Sequence, residues 1–154
     1  MPIISIVEER PDTVDAAQLI TELEAHLTPL YPVESCHGFS IDKLLREGVA
    51  FFVTRCDGLA AGCGGIKLYG LEYAEVKRMY VRPQFRGFGL GKRMLAQLSE
   101  YSQQHGITIL RLETGIHQTE AIGLYEGFGF QRISPFGDYF DDPVSLCYEK
   151  RLDL

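Results

Sequence analysis

The sequence predicts a single α/β domain spanning residues 1–154, in which a mixed central sheet of about seven strands is flanked by about four helices. Two observations predict this class. Segments 49–54, 60–69 and 73–81 have strand character and are separated by tight turns, which is typical of an antiparallel meander. The last of these is followed by a glycine-rich loop, a helix and a strand ending at Glu113, and this order predicts a right-handed βαβ crossover.

The other predicted elements lie before and after this unit. They are a strand at 3–7, a helix at about 14–30, a loop at 31–40, a short helix at 41–47, a helix at 119–125, and strands at 131–134 and 144–150. The first helix is predicted from apolar residues at helical spacing, namely Val14, Ala17, Ile20, Leu23, Leu27 and Leu30. The crossover helix is predicted in the same way from Leu90, Met94, Leu95, Leu98 and Tyr101.

The composition argues against several kinds of partner. The net charge of −6 disfavours a nucleic-acid partner, because affinity for a phosphate backbone comes from cationic side chains. No apolar run is long enough to span a bilayer and the N-terminus lacks the pattern of a signal peptide, so we expect a cytoplasmic protein without a membrane partner. The cysteines form no C-x-x-C pair, so we expect free thiols and no metal site; they are Cys36, Cys56, Cys63 and Cys147.

The most informative stretch is the loop Arg86-Gly87-Phe88-Gly89-Leu90-Gly91-Lys92, which joins a predicted strand to a predicted helix. Glycines let the backbone curl so that several N–H groups face one point, and the positive end of the following helix adds to this field. Segment 77–93 also carries six Lys and Arg residues and no acidic residue. This combination predicts a site for a pyrophosphate.

Two common phosphate-binding patterns do not fit this loop. A dinucleotide fingerprint requires G-x-G-x-x-G, but Gly91 follows Gly89 one position too early. A nucleoside triphosphate loop requires glycine where Arg86 stands and Ser or Thr where Arg93 stands.

Arg86 to Gly91 instead resembles the R-x-x-G-x-G acetyl-coenzyme A loop of the GNAT acetyltransferase superfamily. Met79-Tyr80-Val81-Arg82-Pro83 precedes the loop as the corresponding strand does in that family. The segment from Ala121 to Phe130 is similar to the family's A-x-x-L-Y-x-x-x-G-F helix. Segments 112–115 and 135–139 resemble small bacterial members that modify metabolites, including acetyltransferases of amino acids or auxin-like acids.

The resemblance implies a GNAT fold and an N-acetyltransferase that moves an acetyl group from acetyl-CoA to a primary amine of a small molecule, directly and within a ternary complex. An amino acid or a related acid is a candidate acceptor. The implied cofactor-binding residues are Met79, Tyr80, Val81, Arg86, Gly87, Phe88, Gly89, Leu90, Gly91, Lys92 and Gln118. In the family, the strand of Met79 to Val81 separates from its parallel neighbour and offers main-chain groups to the pantetheine arm. Many members dimerise, so a homodimer is compatible with the resemblance.

Direct acetyl transfer requires a base for the amine and a proton for the leaving thiolate. The resemblance places Tyr125 opposite the thioester sulfur as general acid and Glu75 at the base position, with Glu113 as a second carboxylate or a water chain as a third route. Strand alternation predicts Glu75, Lys77, Met79 and Val81 on one face, and Arg78 and Tyr80 on the other. Arg78 or Arg82 is a candidate for binding a substrate carboxylate.

Several alternatives stay open at this level. Tyr125 is also compatible with a core residue, and Glu75 with a solvent-paired glutamate. Cys36 beside His37 has no acid partner that would favour a nucleophile, and the Asp138–Asp142 loop is compatible with a polar loop or with the border of an acceptor pocket. A protein or peptide acetyltransferase and a non-catalytic CoA-binding sensor are the alternative functions.

Overall fold

A computed structural model describes residues 1–35 and 40–153 of the chain. Its strands and α-helices, in chain order, are β1 (Ile4–Glu8), α1 (Val14–Leu27), α2 (Ile41–Arg46), β2 (Ala50–Cys56), β3 (Leu59–Tyr69), β4 (Tyr73–Val81), α3 (Leu90–Gln104), β5 (Ile109–Gly115), α4 (Thr119–Phe128), β6 (Gln131–Ile133) and β7 (Ser145–Arg151). Short 3-10 turns occupy Thr28–Leu30, Val33–Ser35 and Pro83–Phe85. The predicted mixed fold is confirmed, with element ends that differ by a few residues.

All seven strands form one sheet in the order β1-β2-β3-β4-β5-β7-β6. The first four strands pair antiparallel as the predicted meander, and β4 pairs parallel with β5 through the α3 crossover. The parallel pairing is confined to Ala74 with Leu110 and Glu75 with Arg111, although both strands continue beyond these residues. The two strands therefore separate, and main-chain groups of β4 face a gap instead of a neighbouring strand.

A bulge in β4 changes which side chains face which side of the sheet. Arg78 has a φ of +53°, and the β3–β4 register shifts between Cys63 and Gly65. Met79 packs with the core on the α3 side, whereas Tyr80 packs with the core on the α1 side. The simple alternation predicted for β4 is therefore wrong beyond Lys77, because the bulge inserts an additional residue opposite β3.

Helices cover both faces of the sheet. Helices α3 and α4 pack on one face over a core that includes Val76, Leu95, Leu98, Leu110 and Tyr148. Helices α1 and α2 pack on the other face over a core that includes Leu19, Leu44, Phe51 and Val53. The buried stripe of α1 is Ala16, Leu19, Ile20 and Leu23, so the predicted apolar stripe is wrong at its ends, where Val14 and Leu30 are exposed. In the described part of the chain, no helix is both long enough and apolar enough to cross a membrane.

Candidate active site

Two cavities open where β4 and β5 separate. The larger, of about 410 Å³, is bordered by the end of β4, the glycine loop and the start of α4. The smaller, of about 110 Å³, lies between α1, β4 and β5. Leu23, Met79, Gln118 and Tyr125 line both cavities, so the two spaces meet around these side chains.

The glycine loop forms one end of the larger cavity. Gly87 and Gly89 have φ values of +87° and +75°, and no atom lies within 4 Å of the position that a Cβ would take at either residue. Gly89 is the N-cap of α3, so the first N–H groups of that helix have no partner within the helix. Positive φ values, open space and a helix N-terminus together suit an anion.

Ten of the eleven predicted cofactor-binding residues line the larger cavity; they are Met79, Tyr80, Val81, Arg86, Gly87, Gly89, Leu90, Gly91, Lys92 and Gln118. Phe88 is the exception, since its side chain is 65% exposed and does not line the cavity. The Nε of Arg86 donates to the Val81 carbonyl oxygen at 3.0 Å, which fixes the loop to the end of β4.

The two sequence motifs are in contact at Gly91. A Cβ at this position would lie 2.8 Å from Cδ2 of Leu124, the residue before Tyr125. A glycine here lets α3 approach α4 closely, so the loop motif and the α4 motif are parts of one arrangement.

Tyr125 lies where the two cavities meet. Its ring is 6% exposed and packs edge-on against Phe130, with 5.8 Å between the ring centroids. Within the described residues its hydroxyl has no hydrogen-bond partner, and it is not among the fully buried unpaired atoms. Burial raises the pKa of Tyr125, and the negative charge of Glu113 adds to this. The hydroxyl is therefore protonated at neutral pH and open to a ligand.

Glu75 has a different environment from the one its predicted role requires. Its carboxylate is 2% exposed, lies 2.9 Å from Nζ of Lys77 and accepts a hydrogen bond of 2.6 Å from the Tyr139 hydroxyl. Burial lowers the pKa of Lys77, and burial together with Glu75 raises that of Tyr139. Glu75 lines neither cavity, so this geometry does not support it as the base and favours a buried ion pair beneath segment 135–144.

Glu113, the second carboxylate considered from sequence, lines the smaller cavity. It accepts a hydrogen bond of 2.6 Å from Oγ of Ser145 on the neighbouring strand. Its negative charge contributes to the raised pKa values of Tyr31, Tyr125 and Tyr139. A carboxylate and a phenol thus face the same space from β5 and α4.

Sequence reasoning missed Tyr31, which covers the smaller cavity. Its hydroxyl accepts the His117 N–H at 3.1 Å and donates to Oε1 of Gln118 at 3.3 Å. A Cβ on Gly115 would lie 2.0 Å from this hydroxyl, so the tyrosine occupies space that only a glycine leaves open. The same Gln118 oxygen accepts the Gly115 N–H at 2.9 Å.

A second long-range contact involves Ser35, which also lines the smaller cavity. Oγ of Ser35 donates to Asp142 at 2.5 Å, which joins the segment after α1 to the segment before β7. Of the predicted acidic loop, Asp142 is buried in this contact, whereas Asp138 and Asp141 are exposed. The sequence offers no local signal for these pairings, because their members are about 90 to 110 residues apart.

The remaining candidate residues are the cysteines, His37 and any side chains that could bind a metal ion. Cys36 and His37 lie outside the described residues. Cys56, Cys63 and Cys147 are free thiols, and burial raises the pKa of Cys63. Among residues 1–35 and 40–153, no group of three or more His, Cys, Asp or Glu side chains could hold a metal ion.

A glycine loop at a helix N-terminus, next to a pair of parallel strands that separate, is the arrangement that the resemblance to coenzyme A-dependent acyltransferases implies. The model of the acetyltransferase (GNAT) family matches residues 16–130, and the chain belongs to this family. It is therefore an acetyl-CoA-dependent acetyltransferase of the GNAT type.

Individual relatives agree with this assignment. The chain is 40% identical to the IAA acetyltransferase of Azospirillum brasilense over 99% of this chain and 100% of that protein. The crystal structure of a putative acyl-CoA N-acyltransferase from Klebsiella pneumoniae is 34% identical, with a TM-score of 0.83 over 97% of this chain and 98% of that one. A GNAT family acetyltransferase from Elizabethkingia anophelis with acetyl-CoA bound has the same fold, at 17% identity and a TM-score of 0.72 over 97% of this chain and 98% of that one.

Proposed function

We propose that the larger cavity binds acetyl-CoA, that the smaller cavity binds a small primary amine, and that the acetyl group passes directly between them in a ternary complex. The observation that carries this proposal is the position of the Tyr125 hydroxyl, which has no hydrogen-bond partner among residues 1–35 and 40–153 and lies at the junction of the two cavities. The IAA acetyltransferase relative is named for a small molecule, which agrees with a small acceptor.

The larger cavity suits acetyl-CoA in shape and in chemistry. Bound acetyl-CoA supplies an electrophilic acetyl carbonyl and a thiolate leaving group. The main chain at Gly87 and Gly89 and the N-terminus of α3 bind the pyrophosphate, with Arg86 and Lys92 adding positive charge. Main-chain groups of Met79 to Val81, at the edge of β4 released from β5, bind the pantetheine arm, and Gln118 lies opposite them.

Glu113 acts on the proton of the acceptor amine, and Tyr125 acts on the leaving sulfur. Glu113 accepts the proton that the acceptor amine loses, and we assign it this role in place of Glu75 because it lines the acceptor cavity. The Tyr125 hydroxyl donates to the leaving sulfur. An unperturbed thiol has a pKa near 8.5, below that of tyrosine, so this donation acts mainly as a hydrogen bond to the developing charge.

The size of the acceptor cavity favours this function over peptide acetylation. A space of about 110 Å³, bordered by Tyr31 and Ser35, suits a small acceptor better than an extended peptide. The position of the Tyr125 hydroxyl, where the two cavities meet, also favours an enzyme over a CoA-binding sensor, since a sensor does not need a hydrogen-bond donor at this junction.

The test measures thiol release from acetyl-CoA with a panel of amines, amino acids and peptides. We expect turnover with small amines or amino acids and a loss of about 10²-fold or more in kcat for Tyr125→Phe, with acetyl-CoA binding unchanged. Tyr101→Phe is the matched control, because Tyr101 lies on α3 and lines neither cavity. Turnover by Tyr125→Phe at the wild-type rate, or peptides as the best acceptors, would contradict the proposal.

A further inference from the structure

The wall of the acceptor cavity carries charges of both signs. Lys77 and Arg78 come from β4, Glu24 from α1 and Glu113 from β5. Lys77 is paired with the buried Glu75 behind the wall. The charges that border the cavity thus suit a ligand that is itself a zwitterion.

Two arginines connect β4 to α1, and they differ in their surroundings. Nε and Nη2 of Arg82 donate to the two carboxylate oxygens of Glu22, at 3.0 and 2.8 Å. Its Nη1 donates to the Ala60 carbonyl oxygen at 2.9 Å. It lines neither cavity. All three of its nitrogens donate to groups that hold the helix to the sheet, and its position outside both cavities argues against it as a ligand for the acceptor.

Arg78 is placed differently. The bulge in β4, at its φ of +53°, directs its side chain to the α1 side, where it lines the acceptor cavity and pairs with Glu24. The Arg78 side chain is 4% exposed, whereas that of Glu24 is 47% exposed. Burial lowers the pKa of Arg78 to about 10. The cation is therefore desolvated, and its carboxylate partner reaches it from a position half open to water.

We propose that Arg78 binds the carboxylate of the acceptor, so that the acceptor is a small α-amino acid, and that Glu24 occupies this place until the acceptor arrives. The idea rests on the proposed function. A guanidinium binds a carboxylate through two parallel N–H···O bonds, and a buried guanidinium gains most from such a partner. Glu24, at the rim, swings into water when the substrate carboxylate replaces its own.

The other end of the acceptor then faces the reaction centre. With the carboxylate at Arg78 on β4, the amino group is directed toward Glu113 and Tyr125, which line the same cavity. A cavity of about 150 Å³ holds one benzene molecule, so about 110 Å³ favours an amino acid with a short side chain.

The experiment compares each amino acid with the amine that lacks its carboxylate. The pairs are glycine with methylamine, L-alanine with ethylamine, and L-serine with ethanolamine, each assayed by thiol release from acetyl-CoA. We expect wild-type kcat/KM to favour an amino acid over its amine by about 100-fold. Arg78→Gln should lower kcat/KM for the amino acid about 50-fold, mainly through KM, and that for the amine by less than about threefold.

Two further variants separate recognition from structure. Arg78→Lys should recover part of the amino-acid activity, because it restores the charge without the planar group. Glu24→Gln should lower the KM for the amino acid about threefold, since it removes the competing carboxylate, and should not lower the KM for the amine. Arg111→Gln is the matched control, because Arg111 is a half-buried sheet arginine paired with Glu149 and lines neither cavity. Calorimetric titration of the same amino acids into the CoA complex gives a readout that does not depend on turnover.

Each outcome is decisive. Wild-type preference for the carboxylated member, lost selectively in Arg78→Gln, supports the proposal. Equal use of amines and amino acids by the wild type, or equal losses for both classes in Arg78→Gln, overturns it and leaves the proposed function intact. Acetyl-CoA binding without turnover of any small amine would overturn the proposed function, and this proposal with it.

Discussion

The two cavities that meet at Tyr125 are built from different parts of the chain. Apart from two residues of α1, the larger cavity takes its wall from two stretches, 79–92 and 117–125, which include the positive-φ residues Gly87 and Gly89. The smaller cavity takes its wall from α1, the segment after it, β4, β5, α4 and segment 139–144. A site built from two short stretches has a local sequence pattern, whereas a site built from many distant segments has none. This contrast predicts that substitutions in the larger cavity affect acetyl-CoA binding, whereas substitutions in the smaller cavity affect the acceptor.

Of the substitutions that compare the two cavities, the one at Glu113 should have the largest effect. Glu113→Gln should lower kcat about 100-fold at neutral pH, because the neutral amide cannot accept the amine proton, and leave acetyl-CoA affinity and the free energy of unfolding nearly unchanged. The measurement is steady-state kinetics together with thermal unfolding.

Glu75→Gln is the contrasting variant. It removes the carboxylate charge that lies 2.9 Å from the buried Lys77 ammonium group, so it should destabilise the fold by about 2 kcal/mol or more. A large fall in kcat for Glu75→Gln without loss of stability, together with normal activity of Glu113→Gln, would return the base role to Glu75.

A second effect is expected in the glycine loop. Gly89→Val places a β-branched residue at a φ of +75°, so the loop should distort and acetyl-CoA affinity should fall about 10- to 30-fold. The KM for the acceptor should change little. Gly58→Val, at a φ of +81° in the β2–β3 hairpin, carries the same strain far from both cavities and should retain acetyl-CoA affinity, as measured by calorimetry. Equal losses in both variants would show a general effect on the fold.

A smaller effect is expected on the acceptor side. Gly115→Ala should displace Tyr31, because the added Cβ would lie 2.0 Å from its hydroxyl, and so raise the acceptor KM about tenfold. Acetyl-CoA affinity should stay within about twofold of the wild type. Gly123→Ala, where no atom lies within 4 Å of the new Cβ, is the control and should leave both constants unchanged. A loss of acetyl-CoA affinity in Gly115→Ala with an unchanged acceptor KM would reverse the assignment of the two cavities.

The smallest effect is expected on stability at the Glu22–Arg82 pair, which should contribute to the free energy of unfolding but not to acceptor binding, unlike the Glu24–Arg78 pair. Arg82 holds the pKa of Glu22 below its usual value near 4.5. Such a carboxylate stabilises the fold above its unfolded-state pKa, and this contribution is lost as the pH falls through the lowered folded-state pKa. Glu22→Gln should cost about 0.5–1 kcal/mol at neutral pH and weaken the loss of stability on acidification below about pH 4.5.

Urea unfolding at several pH values measures this contribution of Glu22 to the free energy of unfolding. The acceptor KM of Glu22→Gln should equal that of the wild type, unlike that of Glu24→Gln. A shared change in acceptor KM would show that the two pairs act as one network.

The order of the helices and strands and the residues of the larger cavity could be predicted, because both depend on short, continuous stretches of the sequence. Asp57 and Gly58, for example, both take positive φ values in the predicted hairpin turn, and the R-x-x-G-x-G loop lies at the start of α3 as expected. Tyr125 was predicted from the resemblance of its motif to that of the family, and in the structure this motif contacts the loop motif through Gly91 and Leu124.

The acceptor side could not be predicted in the same way. The bulge at Arg78 reverses the expected direction of side chains in β4, and no glycine or proline in the strand marks it. Tyr31 and Ser35 reach the site through contacts with residues 86 to 107 positions away. The proposal of Glu113 instead of Glu75 as the base rests on which carboxylate lines a cavity, and the Tyr139 hydroxyl that contacts Glu75 has no signal in the sequence.

The central claim is that two substrates meet at Tyr125, and the most direct test is a conjugate of both. Its CoA sulfur is joined through a –CH2–CO– spacer to the nitrogen of the acceptor with the highest kcat/KM. Linking two ligands that occupy adjacent sites combines their binding free energies in one molecule. We therefore expect the conjugate to bind about 100-fold more tightly than CoA and to compete with both substrates. An affinity equal to that of CoA, with inhibition that is noncompetitive toward the acceptor, would contradict the account.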